Sequence, residues 1–504
     1  MFSKVSKLAS LTTSLPMKRI LAMLTRKCRS DKDTHLNVAL DLIAGTRRIA
    51  CPICKISALL TQGVLTIGAN VFGTTLDTVQ DALKDSIFRR AMSSVIEGLV
   101  RFGVAKPFTP GAPFQVVWNV TRACNLKCKH CYENAGKKGL DELSTAEALK
   151  TIDRLAEAGV VFLAFSGGEP TIRPDILTLI RRAAEYGIYV AVATNGLSFS
   201  NPERVKRFKE AGMKFVQISI DGAQAETHDE FRGVPGAFKK TISGIKNCVA
   251  EDLFVEVSTT VTHHNLGEIH DVIRLCENLR VRWLMFYNLV PVGRGTELID
   301  TDLTPQEREY LLEVLLDRIN NPQQSSLEVL TTAPQLGRVA FEANTQGGSQ
   351  NEIVSPTHFN NVRLPAQMRG LTEFIGGCGA GRFYVAIEPN GDIYPCVFFP
   401  HTKAMKVGNI LRDDFRTIWT HSPLLQRLRN KGLLKGACGT CKTRYVCGGC
   451  RARAISYFGD ELGPDPGCIH NQEYWDKLSG TCSSELEFLL SASNLTAEAN
   501  FKGG

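Results

Sequence analysis

The chain lacks several features that would each have settled its class. It carries no strong charge: 59 Lys and Arg against 51 Asp and Glu leave a net +8 over 504 residues. That balance suits an anionic cofactor and is far from the basic footprint of a nucleic-acid-binding protein. It has no clean apolar run long enough to span a bilayer. The best stretch, 56-ISALLTQGVLTIGANVFG-73, is broken by Thr, Gln, Asn and three Gly, and reads as a buried or interfacial helix. No secretory cleavage pattern stands out. The chain is not short of apolar residues either, at 43%. Wholesale disorder is therefore not expected, and the length suits two or three domains with ample cores.

Cysteine is abundant: there are 16, and ten fall into groups. These are Cys124/Cys128/Cys131, then Cys438/Cys441/Cys447/Cys450, and the bracketing Cys378, Cys396 and Cys468. Tight CxxC-type spacing in a large α/β chain points to metal ligation in a reducing, cytoplasmic compartment rather than to a disulfide framework. Residues 1–30 carry seven Lys or Arg and no acid, with Phe2, Val5, Leu8 and Leu11 at roughly helical spacing. This segment reads as a basic surface anchor giving peripheral membrane contact, as a transit peptide, or as a frayed tail.

From residue 111, apolar β-branched runs alternate with amphipathic stretches. Strands are expected at 115–120, 161–166, 188–194, 214–220, 254–261 and 281–288. Helices are expected at 144–158, 174–186, 202–211, 236–250 and 268–279, the first opened by a Ser144/Glu147 capping box. Six near-continuous apolar strands in β-α units imply a parallel sheet buried on both faces. The fold class is α/β: a partial (β/α)6 TIM-like barrel with a Cys-rich C-terminal domain and a mostly helical N-terminal extension. The expected divisions are 1–110 (extension), 111–300 (barrel), 301–377 (helix plus long-loop linker), 378–475 (Cys-rich domain) and 476–504 (tail). The stretch 344–370, rich in Asn, Gln, Gly and Ser, reads as a loop.

The segment 121-TRACNLKCKHCY-132 ends the first strand. Three thiolates can hold a cubane iron–sulfur cluster with one iron left without a protein ligand. His130 is adjacent, but its side chain should point away from Cys128 and Cys131. An open metal position at the C-terminal end of a barrel strand is where chemistry is expected.

Cys-x3-Cys-x2-Cys followed by an aromatic, here Tyr132, resembles the radical S-adenosylmethionine (radical SAM) enzymes, and the resemblance runs from about 114 to 295. Further motifs agree in order: 166-SGGEP-170, 194-TNG-196, 217-QISIDG-222, 228-HDEFRG-233 and 288-NLVPVGRG-295. The resemblance implies that Cys124, Cys128 and Cys131 bind a 4Fe-4S cluster whose open iron chelates S-adenosylmethionine. It implies that Gly167, Gly168 and Glu169 meet the methionine amino group and Arg232 its carboxylate. Tyr132, Asn195, Ser219 and Asp221 would lie near the cofactor, the last two by its ribose. Glu256 and Ser258 either face it too or are satisfied barrel polar groups. The implied activity is reductive cleavage of S-adenosylmethionine to a 5′-deoxyadenosyl radical that abstracts hydrogen from a substrate. The implied electron donor is a ferredoxin or flavodoxin.

Residues 378–468 resemble a SPASM domain, although Cys447 and Cys450 are separated by two residues where three is usual. By that resemblance Cys438, Cys441, Cys447 and Cys468 hold an outer auxiliary cluster, and Cys378, Cys396 and Cys450 an inner one. Structural zinc would fit the outer group equally well. Val397 stands where sulfatase-maturing members have a catalytic aspartate. The substrate is a peptide or a small molecule. Residues 1–110 lack the strand pattern of a winged-helix peptide-recognition module. The motifs 376-GGCGAGR-382, 388-EPNGDIYPC-396 and 464-PDPGC-468 resemble members that modify tetrapyrroles, and the basic, apolar N-terminus leaves room for a lipid. A non-catalytic electron carrier is the reading of another class. The pair 51-CPIC-54 could bind metal with Cys28, while Cys248, Cys276 and Cys482 read as core thiols.

Overall fold

The computed structural model describes residues 20, 22–71, 74–321, 325–346, 352–357, 361–365 and 370–480. Most of the basic N-terminal segment, Cys482 and the rest of the tail lie outside the described residues. The extension is helical: α1 (His35–Ile43), α2 (Pro52–Val71), α3 (Leu76–Ala82) and α4 (Ser86–Phe102). Leu24, Leu36, Leu40, Leu65, Leu83 and Ile96 form its small core. α2 is only partly buried: Ile53, Ile56, Leu59 and Ile67 remain 52%, 55%, 70% and 40% exposed. It is the one described helix long and apolar enough to cross a membrane, over Pro52–Asn70, by length and composition alone.

α4 joins the extension to the barrel. Arg90 donates to the carbonyls of Ala156 (2.5 Å), Val160 (2.6 Å) and Tyr186 (3.2 Å). Ser94 exchanges hydrogen bonds with the Ala112 backbone. The four-helix unit is thereby held against the bottom of the barrel, where Ile87 borders its cavity beside Phe114, Val161 and Tyr189.

The expected strands form β1 (Gln115–Asn119), β2 (Phe162–Ser166), β3 (Tyr189–Thr194), β4 (Met213–Ser219), β5 (Phe254–Val261) and β6 (Trp283–Asn288), all parallel. Their apolar residues pack against helices that include Thr145–Ala158, Ile176–Glu185 and Ala237–Ala250. Ser144 and Glu147 make the expected capping box, as do Thr304 and Glu307 on the helix Pro305–Asn320.

The sheet is larger than six strands. β7 (Glu328–Thr331) adds in parallel beside β6, inside the segment expected to be only helix and loop. β8 (Glu352–Pro356) and β9 (Asn361–Pro365) form an antiparallel hairpin within the expected loop at 344–370. β10 (Tyr384–Ile387) pairs in parallel with the free edge of β1, and β11 (Asp392–Tyr394) and β12 (Gly408–Asn409) follow it antiparallel. The Cys-rich segment therefore continues the barrel sheet.

Candidate active site at the barrel mouth

Cys124, Cys128 and Cys131 lie on the loop after β1. The loop is fixed to its neighbours by backbone bonds: Gly168 N to Thr121 O (2.7 Å), Glu169 N to Ala123 O (2.8 Å) and Lys127 N to Arg232 O (3.2 Å). The two glycines of SGGEP are sterically required. A Cβ on Gly168 would lie 2.2 Å from the Ala123 carbonyl oxygen, and one on Gly167 2.5 Å from that of Thr121. Only Gly lets two backbones approach this closely.

Around the thiols the polar groups divide into those facing the cavity and those bracing its wall. Tyr132, Gly167, Gly168, Asn195, Ser219, Arg232, Glu256 and Ser258 line it. Arg232 is buried, with Nη1 3.6 Å from the Cys128 sulfur and Nη2 2.6 Å from Asp221. Burial raises the Cys128 thiol and the Arg232 guanidinium works against that rise. Burial pushes Cys124 up to about 12.

Glu169 and Asp221 do not line the cavity. Glu169 accepts four hydrogen bonds from protein: Thr171 N (3.0 Å) and Oγ1 (2.5 Å), Thr194 Oγ1 (2.7 Å) and Asn195 N (2.9 Å). It ties the ends of β2 and β3 together. Asp221 is fully buried behind the wall, because β4 ends at Ser219 and the chain turns away. Its carboxylate braces Arg232 and accepts the Thr260 amide at 2.9 Å. His130 turns from the thiols to stack on Phe231 (4.4 Å), with Nε2 3.5 Å from Asp221. Burial lowers its pKa to about 4.

The cavity holds about 640 Å³ and runs from the barrel bottom past the three thiols to Cys378, Cys396 and Cys450. A separate small pocket is lined by Cys438, Cys441, Cys447 and Cys468. The seven thiols of the Cys-rich segment therefore line two separate spaces, three at the cavity and four at the small pocket. Between the barrel thiols and the inner set stand Tyr132, Tyr287 and Phe398, with Phe398 edge-on to both rings at 5.1 and 6.1 Å.

Groups that spacing does not reveal hold this arrangement. Asp465 accepts the Cys450 amide and Gln335 Nε2 on one oxygen, both at 2.7 Å, and the Gly467 amide on the other. Arg453 links Asp465 to Asp302 and donates to the Leu289 carbonyl in the cavity wall. Below Tyr132, Asn119 donates to both Glu133 (2.5 Å) and Glu388 (3.1 Å). Burial raises Glu133 to about 7 and drives Glu388 well above the usual carboxylate range. Asp465 and Glu388 were visible in sequence only as parts of PDPGC and EPNGDIYPC; Asn119 and Glu133 carry no spacing signal.

The site fits an iron–sulfur cluster and a zwitterionic cofactor. Buried Cys128 lies against the cationic Arg232 guanidinium, Cys124 and Cys131 line the same cavity, and the cavity-lining Arg232 Nε and Asn288 Nδ2 are buried without a protein partner. Among the described residues, the thiols here and in the Cys-rich segment are not among the groups whose ligand atoms all lie within 4.8 Å. That spread suits cubanes better than single ions.

A family model described as the Radical SAM superfamily matches residues 118–276, and one described as an iron-sulfur cluster-binding domain (SPASM) matches 378–443. The AdoMet-dependent heme synthase of Methanosarcina barkeri is 35% identical over 361 residues, 71% of this chain and 97% of its own length. The chain belongs to the radical SAM superfamily. The mycofactocin maturase MftC of Mycobacterium ulcerans is 33% identical, over 71% of this chain and 88% of its own. Streptococcus suis SuiB bound to S-adenosylmethionine shares the fold, with a TM-score of 0.54 at 18% identity, covering 76% of this chain and 82% of that one. This radical SAM chain is an enzyme whose cofactors are 4Fe-4S clusters and S-adenosylmethionine.

Proposed function

We propose that this enzyme carries out an oxidative modification of a tetrapyrrole-class small molecule in the space between the barrel thiols and the inner thiols. One observation carries the reading: a single cavity is lined by both Cys124/Cys128/Cys131 and Cys378/Cys396/Cys450. When bound, the clusters and S-adenosylmethionine supply hydrogen abstraction and electron transfer. In this reading Arg232 meets the cofactor carboxylate and the Gly167–Gly168 backbone its amino group, with Asn195 and Ser219 alongside. Glu169 and Asp221 act as positioning residues, one through β3 and the other through Arg232. Tyr132, Tyr287 and Phe398 offer flat apolar faces to a macrocycle. The all-helical described extension and the similarity to a heme synthase support a small molecule.

A peptide substrate is the second reading, favoured by the similarity to MftC. The test is anaerobic reconstitution with dithionite, S-adenosylmethionine and either an iron coproporphyrin or a candidate peptide. The proposal expects 5′-deoxyadenosine and a porphyrin product changed in mass. Turnover with the peptide alone would replace it by the second reading, and absence of 5′-deoxyadenosine with any substrate would refute the site assignment.

A ferredoxin or flavodoxin suits the outer thiols, because half-buried Cys441 is flanked by Lys442 and Arg444, and such donors are acidic. A peripheral lipid contact suits the exposed Ile53, Ile56, Leu59 and Ile67 of α2. Failure of the protein to float with anionic vesicles would remove that contact. The fifteen described cysteines are all free, in keeping with a reducing, cytoplasmic setting.

A further inference from the structure

Outside the barrel and the Cys-rich segment, one cluster of side chains has the chemistry of a metal centre. Cys28, Asp31, Cys51 and Cys54 place their ligand atoms within 4.8 Å of one another. Neither family model reaches them. Cys28 and Cys54 are 5% and 0% exposed, and Cys51 is half-buried.

The local geometry repeats itself. The spacings are Cys28-x2-Asp31 and Cys51-x2-Cys54. In each, the amide of the fourth residue donates to the sulfur of the first: Asp31 N to Cys28 Sγ and Cys54 N to Cys51 Sγ, both at 3.4 Å. The two turns face each other, with Cys28 and Cys51 sulfurs 3.6 Å apart. A tetrahedral zinc with bonds of about 2.3 Å to sulfur sets neighbouring sulfurs roughly 3.8 Å apart. A cubane would spread its ligands further, so a single ion is the better fit.

The surrounding groups orient the four ligands. Asp31 Oδ2 faces the sulfurs, 3.5 Å from Cys28 Sγ, and accepts the Cys51 amide at 3.1 Å. Its other oxygen is held by Arg47 Nη2 at 2.5 Å. Buried His35 sets Nδ1 3.1 Å from Cys54 Sγ. A ligating carboxylate fixed by an arginine and a thiolate fixed by a ring N–H are what a metal site needs beyond its ligands.

We infer that Cys28, Cys51, Cys54 and Asp31 bind one tetrahedral zinc-class divalent ion that staples the loop before α1 to the start of α2. Loading displaces the three thiol protons in favour of one dication, so retention weakens in acid. With all four positions taken by protein, the site is structural, not catalytic. It ties the first turn of α2 to the loop before α1.

The test is elemental analysis of the full chain, purified without oxygen and passed through a chelator. About one zinc per chain is expected. Cys54→Ser loses it while iron and sulfide stay unchanged, and Asp31→Cys keeps it with slower release to the chelator. A wild-type zinc content well below one per chain overturns the inference even where Cys54→Ser fails to fold. So does Cys54→Ser lowering iron and sulfide together, which would place a cluster there. A Cys28–Cys51 disulfide in the protein as purified would also overturn it.

Discussion

Asp302 is the group whose removal should be felt most widely. It is 1% exposed and accepts from two buried arginines and a tyrosine. Arg308 Nη2 lies 2.7 Å from one oxygen, and Arg453 Nη1 and the Tyr457 hydroxyl each lie 2.7 Å from the other. Burial works to raise its pKa, but Arg453 and Arg308 more than offset that and hold it below the usual range. Asp302→Ala strands Arg308 without a carboxylate and leaves Arg453 only Asp465, at side chains that are 1% and 0% exposed. Breaking one buried pair costs about 3–5 kcal/mol, and with two cations affected the upper end is expected. At roughly 2 °C per kcal/mol for a large chain, Tm should fall by about 6–10 °C. Asp302→Asn keeps the acceptor and should lose about half as much. The assay is thermal unfolding of the anaerobic, cluster-loaded enzyme followed by circular dichroism, with iron measured on the same samples. Because Arg453 continues to Asp465 and so to the Cys450 amide, iron should fall with Tm. An Asp302→Ala enzyme melting within about 2 °C of wild type would refute the claim that this network holds barrel and Cys-rich segment together.

Cys128→Ala should abolish S-adenosylmethionine cleavage while losing only about a third of the iron, if three cubanes are present; unchanged 5′-deoxyadenosine formation would refute the assignment. Gly168→Ala should cut cofactor binding by at least tenfold in isothermal titration, since its Cβ would sit 2.2 Å from the Ala123 carbonyl oxygen. Glu256 is raised to about 7 by burial, against a hydrogen bond from Gln217. Between the unfolded value near 4.5 and about 7 the folded state binds more protons, so this group's contribution falls as pH rises. Glu256→Gln should therefore gain roughly 3 kcal/mol relative to wild type between pH 4.5 and 8, read from denaturation midpoints. A pH-independent difference would refute the reading.

The six central strands were legible because Val, Ile, Phe and Ala run through them nearly unbroken, as burial on both faces requires. β7 is four residues, 328-EVLT-331, and its strand character comes from pairing with β6, which no local pattern announces. The hairpin of β8 and β9 sits among polar residues that read as loop. The partition of seven thiols into two sets followed from resemblance, whereas Asp302 and Glu133 are single carboxylates made important only by burial. The burial of Asp221 against Arg232, off the cavity lining, is a placement that the motif alone does not announce. The Cys28 cluster was half visible as 51-CPIC-54, and Asp31 became a ligand candidate only once two distant turns were seen to face each other.

The pairing of β10 with β1 makes the gap between the reactive mouth and the inner thiols a fixed gauge. Gln115 to Trp118 stand in register with Tyr384 to Ile387, so moving one thiol set relative to the other would shear a buried ladder. An enzyme built this way cannot adjust its jaws to the molecule between them. Under the proposed function, a macrocycle seated between the two thiol sets would be selected by how well it fits that fixed span.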